Sequence, residues 1–315
     1  MTGRPLVCVI DPIAPEATDW LAERADVAGP DDPRTRDWPA HADGIIVRTT
    51  PMPAPSVAAA ARLRVIAKHG VGVDNIPLDA ARARGIRVTS TPGANTNATA
   101  ELTVALALAA ARAVPQADAA LRAGRPVPAV ARGGGEIGGR TVGLVGFGRI
   151  ASRVAAILAG GFGCPILVYS PRTAPERLAG TGAERVDDLL ALARRSQILS
   201  IHVPLTADTR GMIDATVLGA LPRGAILVNA ARGGIVDEAA LARALVEGPL
   251  AAAASDVFDV EPPPPDHPLL ALPNFVATPH IGAMSAQALR AMGMQAAAAV
   301  LTVLGGGVPA EGVVV

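Results

Sequence analysis

The chain has 315 residues, of which 50% are hydrophobic and only 2% aromatic, and its formal net charge is zero. This length fits one large or two medium domains, with a sizeable core built mainly from aliphatic side chains. The balanced charge gives no electrostatic signal for binding to nucleic acid or to an anionic membrane.

The cysteines and the apolar segments predict a soluble cytoplasmic protein. Cys8 and Cys164 lie far apart, in or beside apolar runs and without metal-ligand spacing, so we interpret them as buried, reduced thiols. Residues 1–5 lead directly into a strand and do not resemble a signal peptide. The longest apolar helical segments, 102–114 and 291–304, are shorter than the ~18–20 residues that a membrane span needs. We expect no metal, nucleic acid or membrane partner.

The first hundred residues alternate strand-like runs with helical segments. Alternation of this kind predicts an α/β unit with a parallel sheet. Ser56 is the expected N-cap of one helix, and Gly85 is the expected stop of another. Strands are predicted at 6–10, 44–48, 63–68 and 86–89, and helices at 14–24, 56–62 and 78–84.

The remainder continues the α/β pattern. Segment 101–112 is apolar nearly all round, which predicts a helix buried between domains or subunits, and 124–139 is a Gly-, Arg- and Pro-rich loop. A final Ala-rich helix at 285–304 is predicted to return to the first unit. Further strands are expected at 166–169, 198–203, 225–229, 251–255 and 275–277, and helices at 186–193, 214–221 and 237–247.

A Gly-rich turn between an apolar strand and a helix begins the second α/β unit at 141–151. Gly146 suits a tight turn, and Gly148 lacks a Cβ, so that the backbone can approach a pyrophosphate. Ala151 is small enough for the helix to pack on the strand. The unpaired N–H groups of the helix N-terminus favour phosphate binding. The sequence therefore predicts a dinucleotide-binding unit.

Four further motifs, at 71–75, 229–237, 256–262 and 278–282, resemble those of the D-isomer-specific 2-hydroxyacid dehydrogenases, in the family's order and over nearly the whole chain. The resemblance implies two Rossmann-like, doubly wound parallel-sheet domains with the active site in the cleft. One is a flavodoxin-like substrate domain, expected at 1–98 and 288–315, and the other an NAD(P)-binding domain at 99–287. Since the sequence stops at Val315, we expect a short form without the C-terminal regulatory domain of long phosphoglycerate dehydrogenases.

Three residues in these motifs have the chemistry that reduction of a 2-keto acid requires. Arg232 can bind a carboxylate through two hydrogen bonds and polarise the carbonyl. His280 can act as acid and base near neutral pH. Glu261 beside the imidazole would favour its protonated form and fix the ring orientation. Taken singly, a solvated arginine, a loop histidine and a surface glutamate would be the simpler interpretations.

The resemblance also implies contacts to substrate and cofactor. Val71 and Gly72 are expected to bind the substrate carboxylate through backbone N–H groups. Arg48 is assigned to the distal end of the substrate, with a structural ion pair as the alternative. Asp256 resembles the family's partner of the nicotinamide carboxamide. The cofactor contacts are Gly146, Gly148, Arg149, Ile150, Ser170, Arg172, Val203, Ala230, Ala231, Asp256 and Gly282.

The turn after the strand at 166–169 predicts which nicotinamide cofactor is preferred. NAD enzymes commonly carry a carboxylate there, which accepts hydrogen bonds from the ribose hydroxyls. Here the turn has Ser170 and Arg172, which suit a 2′-phosphate, so we expect NADP in preference to NAD. A surface arginine without cofactor contact is the alternative, and Glu176 could reverse the preference.

The sequence therefore predicts an NAD(P)-dependent D-2-hydroxyacid dehydrogenase or 2-ketoacid reductase of phosphoglycerate, glyoxylate or hydroxypyruvate type. An NAD(H)-binding, corepressor-like regulatory protein is the alternative, although such a protein does not need Arg232, Glu261 and His280 together. Glu261 also argues against a formate dehydrogenase, which dispenses with a Glu–His pair. The apolar helix at 101–112 and the loop at 124–139 predict a homodimer, as in the family.

Overall fold

The computed structural model describes residues 3–315, and the chain divides into two compact units. The first unit comprises the chain up to Asn95 together with Ala283–Val315, and the second is Thr96–Gly282. The domain boundaries expected from the sequence, 98/99 and 287/288, lie three and five residues further along the chain than these.

The first unit is built on a five-stranded parallel sheet with the order β2-β1-β3-β4-β5. The order reverses between β1 and β3, as in flavodoxin-like folds. The strands β1 and β3 are fully buried apolar runs, which is typical of a sheet covered on both faces. The elements, labelled in chain order, are β1 Leu6–Val9, α1 Pro15–Ala22, β2 Asp26–Ala28, α2 Pro33–Arg36, α3 Trp38–His41, β3 Gly44–Val47, α4 Ala54–Ala59, β4 Val65–Lys68, α5 Leu78–Ala83, β5 Arg87–Thr89 and α13 Ala286–Leu304.

Several short elements of this unit were not expected from the sequence. β2, α2 and α3 have three or four residues each, too few for a hydrophobic period to be recognised. The prediction that Ser56 caps a helix is wrong. Helix α4 begins at Ala54 with Pro53 as its N-cap and no side-chain cap. Pro55 in the first turn supplies a backbone angle that already suits a helix.

Helix α13 contributes to the core of the first unit. Ala296, Ala297 and Val300 are buried against β3 and β4. The helix has 19 residues, and by length and hydropathy alone it could cross a membrane. Within this helix, 44% of the apolar stretch that meets these criteria is buried. It is longer than the apolar segment 291–304 counted from the sequence, because the helix continues back to Ala286. A buried core helix meets the same length and hydropathy criteria.

The second unit is built on a seven-stranded parallel sheet with the order β12-β11-β10-β9-β6-β7-β8. Apolar clusters cover its two faces, and α6 and α9 pack together on one of them. The order reverses at β6 and β9, where doubly wound folds bind their ligands. Its elements are α6 Thr96–Arg112, α7 Val114–Arg122, α8 Ala129–Arg132, β6 Val142–Val145, α9 Arg149–Phe162, β7 Ile166–Tyr169, β8 Glu184–Arg185, α10 Leu189–Arg195, β9 Ile198–Ile201, α11 Ala215–Gly219, β10 Ala225–Asn229, α12 Glu238–Val246, β11 Leu250–Ser255 and β12 Phe275–Ala277.

The differences from the sequence prediction lie at the ends of elements and in helices that were not predicted. Helix α6 begins at Thr96, five residues before the predicted start at 101. Helix α7 was not predicted, and α8 lies within the segment 124–139 that was expected to be a loop. Helix α10 starts after its N-cap Asp188, which accepts a hydrogen bond from the Ala191 N–H, and not at 186.

Candidate active site

The Gly-rich turn after β6 has the geometry that a bound pyrophosphate requires. Gly146 has a φ of 95°, and a Cβ there would lie 2.6 Å from the carbonyl oxygen of His202, so that a side chain is excluded. At Gly148, by contrast, a Cβ would meet nothing within 4 Å. Gly148 is the N-cap of α9 without a side-chain cap, which leaves the first N–H groups of a 14-residue helix for an anion. These residues fit the phosphates of a dinucleotide.

The turn after β7 is held in a fixed conformation. The hydroxyl groups of Ser170 and Thr173 are 2.8 Å apart, and Arg185 donates a hydrogen bond to the Thr173 carbonyl. Arg172 is exposed, as is Glu176 in the following 3₁₀ turn. A guanidinium group on a fixed turn at the carboxyl end of β7 can contact a ligand bound at the Gly-rich turn of the neighbouring strand.

Arg232 lies in a tight loop at the carboxyl end of β10. The Asn229 side chain closes this loop, since its Nδ2 donates to the Arg232 carbonyl at 3.0 Å and its Oδ1 accepts from the Ala231 N–H at 3.1 Å. Arg232 is half-buried, and its Nη1 donates to the Ala231 carbonyl. A Cβ at Gly233 would overlap the Phe258 carbonyl, so only glycine lets the loop approach the segment after β11 so closely.

Asp256 holds the turn that carries His280. The Asp256 side chain is 1% exposed and accepts hydrogen bonds from the Thr278 hydroxyl and from the N–H groups of Ile281 and Gly282. The His280 N–H donates to the Asp256 carbonyl, and His280 has a φ of 55°, a left-handed conformation that is uncommon for residues other than glycine. This carboxylate thus anchors the turn. Its expected contact with the nicotinamide stays a prediction.

His280 and Glu261 form a short hydrogen bond. The Nδ1 atom of His280 lies 2.6 Å from Oε2 of Glu261. The other carboxylate oxygen of Glu261 accepts the Phe258 N–H at 3.1 Å. Because Nδ1 is engaged, Nε2 is the ring nitrogen that remains for a substrate.

The charges around Glu261 favour its ionised form. Partial burial opposes ionisation, but the hydrogen bond and charge of His280 outweigh it, and the pKa of Glu261 lies below its usual value. The Phe258 N–H and the charge of Arg232 act in the same direction. Glu261 is therefore a carboxylate at neutral pH. The Gly234 N–H donates to the Asp259 carboxylate, so that the Arg232 loop also contacts the segment that carries Glu261.

Two loops of the first unit carry the residues predicted to contact substrate. The Asp11 carboxylate accepts the N–H groups of Arg48, Thr49 and Thr50 and the Thr50 hydroxyl. Burial opposes ionisation of Asp11, yet these hydrogen bonds lower its pKa. A carboxylate thus orders the loop after β3, at the strand-order reversal of this sheet.

Lys68, the only lysine in the sequence, joins that loop to the one after β4. Its ammonium group donates to the Arg48 carbonyl and to Oδ1 of Asn75. In the loop after β4, Val71 is exposed and Gly72 is half-buried. Arg48, Val71 and Gly72 thus lie on two connected loops of the first unit. Arg232, Glu261, His280 and the predicted cofactor contacts belong to the second unit.

Of the four other histidines, His69, His202 and His267 are buried or half-buried, and only His41 is exposed. His41 is exposed beside Asp37, 3.4 Å away. His69 is buried and contacts the Leu289 carbonyl at 3.1 Å, and burial lowers its pKa. His202 follows β9 and does not lie within it, and burial lowers its pKa to about 4. The Nε2 atom of His267 lies 3.0 Å from Oε2 of Glu238, a contact that the sequence did not predict.

Comparison with known proteins agrees with this geometry. Residues 104–282 match the family described as D-isomer specific 2-hydroxyacid dehydrogenase, NAD binding domain. The chain is 42% identical over 308 residues to the D-3-phosphoglycerate dehydrogenase of Mycobacterium tuberculosis, covering 96% of this chain and 57% of the relative. It is 39% identical over 300 residues to the hydroxypyruvate reductase of Thermotoga maritima, covering 93% of this chain and 96% of the relative.

Among solved structures, the chain is similar to the NADPH-dependent glyoxylate/hydroxypyruvate reductase of Sinorhizobium meliloti in complex with NADP and malonate. The TM-score is 0.83 at 34% identity, covering 96% of this chain and 94% of that one. The protein thus belongs to the D-isomer specific 2-hydroxyacid dehydrogenases, as its motifs predicted. It spans only 57% of the length of the phosphoglycerate dehydrogenase, but nearly all of the hydroxypyruvate reductase.

Proposed function

We propose that this protein is an NAD(P)-dependent reductase of small 2-keto acids, or dehydrogenase of the matching D-2-hydroxy acids, of phosphoglycerate, glyoxylate or hydroxypyruvate type. The 2.6 Å contact between Glu261 and His280 is the observation that carries the proposal. An imidazole oriented by a carboxylate can act as a general acid and base. The same unit has a Gly-rich turn that fits a dinucleotide.

The chain's own residues supply binding and proton transfer. Arg232 binds the carboxylate of the keto acid and polarises the neighbouring carbonyl. His280, protonated and oriented by Glu261, donates its Nε2 proton to the oxygen on which negative charge develops during reduction. Glu261 remains ionised and stabilises the imidazolium. A bound nicotinamide dinucleotide would supply the hydride, and Gly146, Gly148 and the first turn of α9 would hold its phosphates.

An absorbance assay at 340 nm tests this proposal. Purified protein is mixed with NADPH or NADH and with glyoxylate, hydroxypyruvate, phenylpyruvate or phosphohydroxypyruvate. We expect oxidation of the cofactor with at least one of these acids. No oxidation, in a protein that binds the cofactor, would favour the corepressor-like alternative. A preference for phosphohydroxypyruvate would place it with the phosphoglycerate dehydrogenases.

The exposed guanidinium of Arg172 and the lack of a carboxylate in the turn 170–173 favour NADPH over NADH. Replacing Arg172 by alanine is expected to raise the KM for NADPH ~10-fold or more, since hydrogen bonds to charged groups contribute about 1.5–3 kcal/mol. The KM for NADH should change little. Steady-state kinetics with both cofactors measures this, with Arg177→Ala, on the following 3₁₀ turn, as a matched control. A native enzyme that favours NADH tenfold or more would show that the turn has been misinterpreted.

The second unit also exposes apolar side chains on α7 and in the segment after it, and we propose that a second copy covers them. Val114, Leu121 and Val127 are 53, 79 and 58% exposed. Arg112, Val114 and Leu121 line a surface cavity of about 510 Å³. Apolar groups clustered in this way favour an interface.

Sedimentation should give twice the 31.7 kDa chain mass, and Leu121→Asp should shift the protein toward monomer. A single species of one chain's mass at micromolar concentration contradicts the homodimer.

A further inference from the structure

Glu238, the first residue of α12, is hydrogen-bonded to His267, and both side chains are mostly buried. The Nε2 atom of His267 lies 3.0 Å from Oε2 of Glu238, and the two side chains are only 15 and 19% exposed. The His267 ring packs edge-on against Phe258, with centroids 5.6 Å apart. Its Nδ1 is buried and has no hydrogen-bond partner among the described residues 3–315. Its position is thus fixed by Glu238 and by packing.

The same glutamate holds the segment that carries Glu261. The second carboxylate oxygen of Glu238 accepts the Asp259 N–H at 2.9 Å. Asp259 in turn accepts the Gly234 N–H through its own carboxylate at 2.5 Å, and Gly234 lies two residues after Arg232. The hydrogen bonds therefore run from His267 through Glu238 and Asp259 to the Arg232 loop.

This network reaches both catalytic groups. Phe258, which contacts the His267 ring, donates its N–H to Glu261 and so sets the orientation of the carboxylate that holds His280. The absence of a side chain at Gly233 brings the backbone of the Arg232 loop against Phe258. Displacing the 258–261 segment would therefore move the carboxylate-binding and proton-transferring groups together. Errors of about 1 Å in such groups can cost ~10²-fold in rate.

We propose that Glu238 and His267 are positioning residues that hold the 258–261 segment in the geometry that acid–base catalysis requires. The inference rests on the proposed function for its kinetic consequence, but its structural consequence can be measured without turnover. A pair that only stabilises the fold would lower the melting temperature and leave the catalytic geometry of the folded protein unchanged. A positioning pair changes that geometry.

The kinetic test compares Glu238→Gln in two backgrounds. We expect kcat for the 2-keto acid to fall ~10-fold in the native background, with the Kd for NADPH unchanged. In a Glu261→Gln background the same substitution should lower kcat less than in the native background, because the part of its effect that acts through Glu261 is already lost. His267→Gln is the second variant in case Glu238→Gln folds poorly. Glu184→Gln, which removes one side of the exposed Glu184–Arg195 pair in the same unit, is the matched control and should leave kcat unchanged. Equal losses in both backgrounds, or an unchanged kcat, would overturn the proposal.

A spectroscopic test is independent of activity. The ¹⁵N chemical shifts of the His280 ring, assigned among five histidines by their loss in His280→Gln, report its hydrogen bond to Glu261. We expect Glu238→Gln to move these shifts toward the values of Glu261→Gln, and Glu184→Gln to leave them in place. Native shifts in folded Glu238→Gln and His267→Gln would refute the positioning role. A native protein without keto-acid reductase activity would refute the proposed function, while the ring shifts would still decide this inference.

Discussion

Replacement of His280 by alanine is expected to lower kcat for reduction of the keto acid by ~10²–10⁴-fold, the usual contribution of general acid–base catalysis. The reason is geometric. Nδ1 of His280 is committed to Glu261 at 2.6 Å, so Nε2 is the group that can deliver a proton, and alanine removes it. Cofactor binding should remain, because the pyrophosphate turn at Gly146 and Gly148 makes no use of this side chain. Stopped-flow single-turnover measurements and fluorescence titration with NADPH separate the two effects.

Glu261→Gln is the matched control for the pair, and its effect on kcat should be smaller because the imidazole remains. The sign of its pH effect follows from the charges. The pKa of Glu261 lies below its usual value through the hydrogen bond and charge of His280, so the carboxylate stabilises the protonated ring in return. Glutamine carries no charge and removes that stabilisation of the protonated ring. The upper pH limit of reduction should therefore move downward, whereas an unchanged pH profile would contradict the pairing.

A His280→Ala enzyme with near-native kcat would remove the imidazole from the reaction and leave the substrate to draw its proton from water or another group. A variant that loses NADPH affinity as strongly as kcat would point to a disturbed turn. His280 has a left-handed backbone conformation within the turn anchored by Asp256. His280→Asn, which tolerates that conformation better than alanine, distinguishes a disturbed turn from a lost acid.

The sequence was sufficient to predict the strands that consist of continuous apolar residues. The strands at Ile166–Tyr169, Ala225–Asn229 and Phe275–Ala277 have the bounds expected from their apolar runs. Elements that depend on local context were missed. Helix α7 follows α6 after Ala113, a left-handed non-glycine residue that no propensity rule predicts. β8 has only two residues, too few for a period.

The candidate site was likewise predicted only in part. The short Glu261–His280 hydrogen bond joins two residues that the motifs had paired, while their assignment as catalytic residues stays a prediction. The Glu238–His267 pair was out of reach because its members lie 29 residues apart in the chain, and each alone is typical of a surface helix start or a turn. Only packing shows that both are mostly buried. The one signal in the sequence was the position of Glu238 directly after the N-cap Asp237, where an acidic residue is favoured for purely local reasons.

Replacement of Arg232 by lysine is expected to lower kcat/KM for the keto acid by ~10–10²-fold, with KM raised and kcat lowered. A guanidinium binds a carboxylate through two parallel hydrogen bonds, whereas an ammonium group acts as a point charge, and each hydrogen bond to a charged group contributes about 1.5–3 kcal/mol. Position 232 lies in a loop closed by Asn229 and held by Asp259 through Gly234, so a shorter reach cannot be recovered by movement of the loop. Steady-state kinetics with glyoxylate, which is little more than the carboxylate and carbonyl, measures the loss directly. Arg223→Lys, at an exposed arginine of the same unit outside the predicted site, is the control for a general effect of the exchange. If Arg232→Lys were kinetically silent while Arg232→Ala bound NADPH normally and also remained active, Arg232 would have no part in substrate binding.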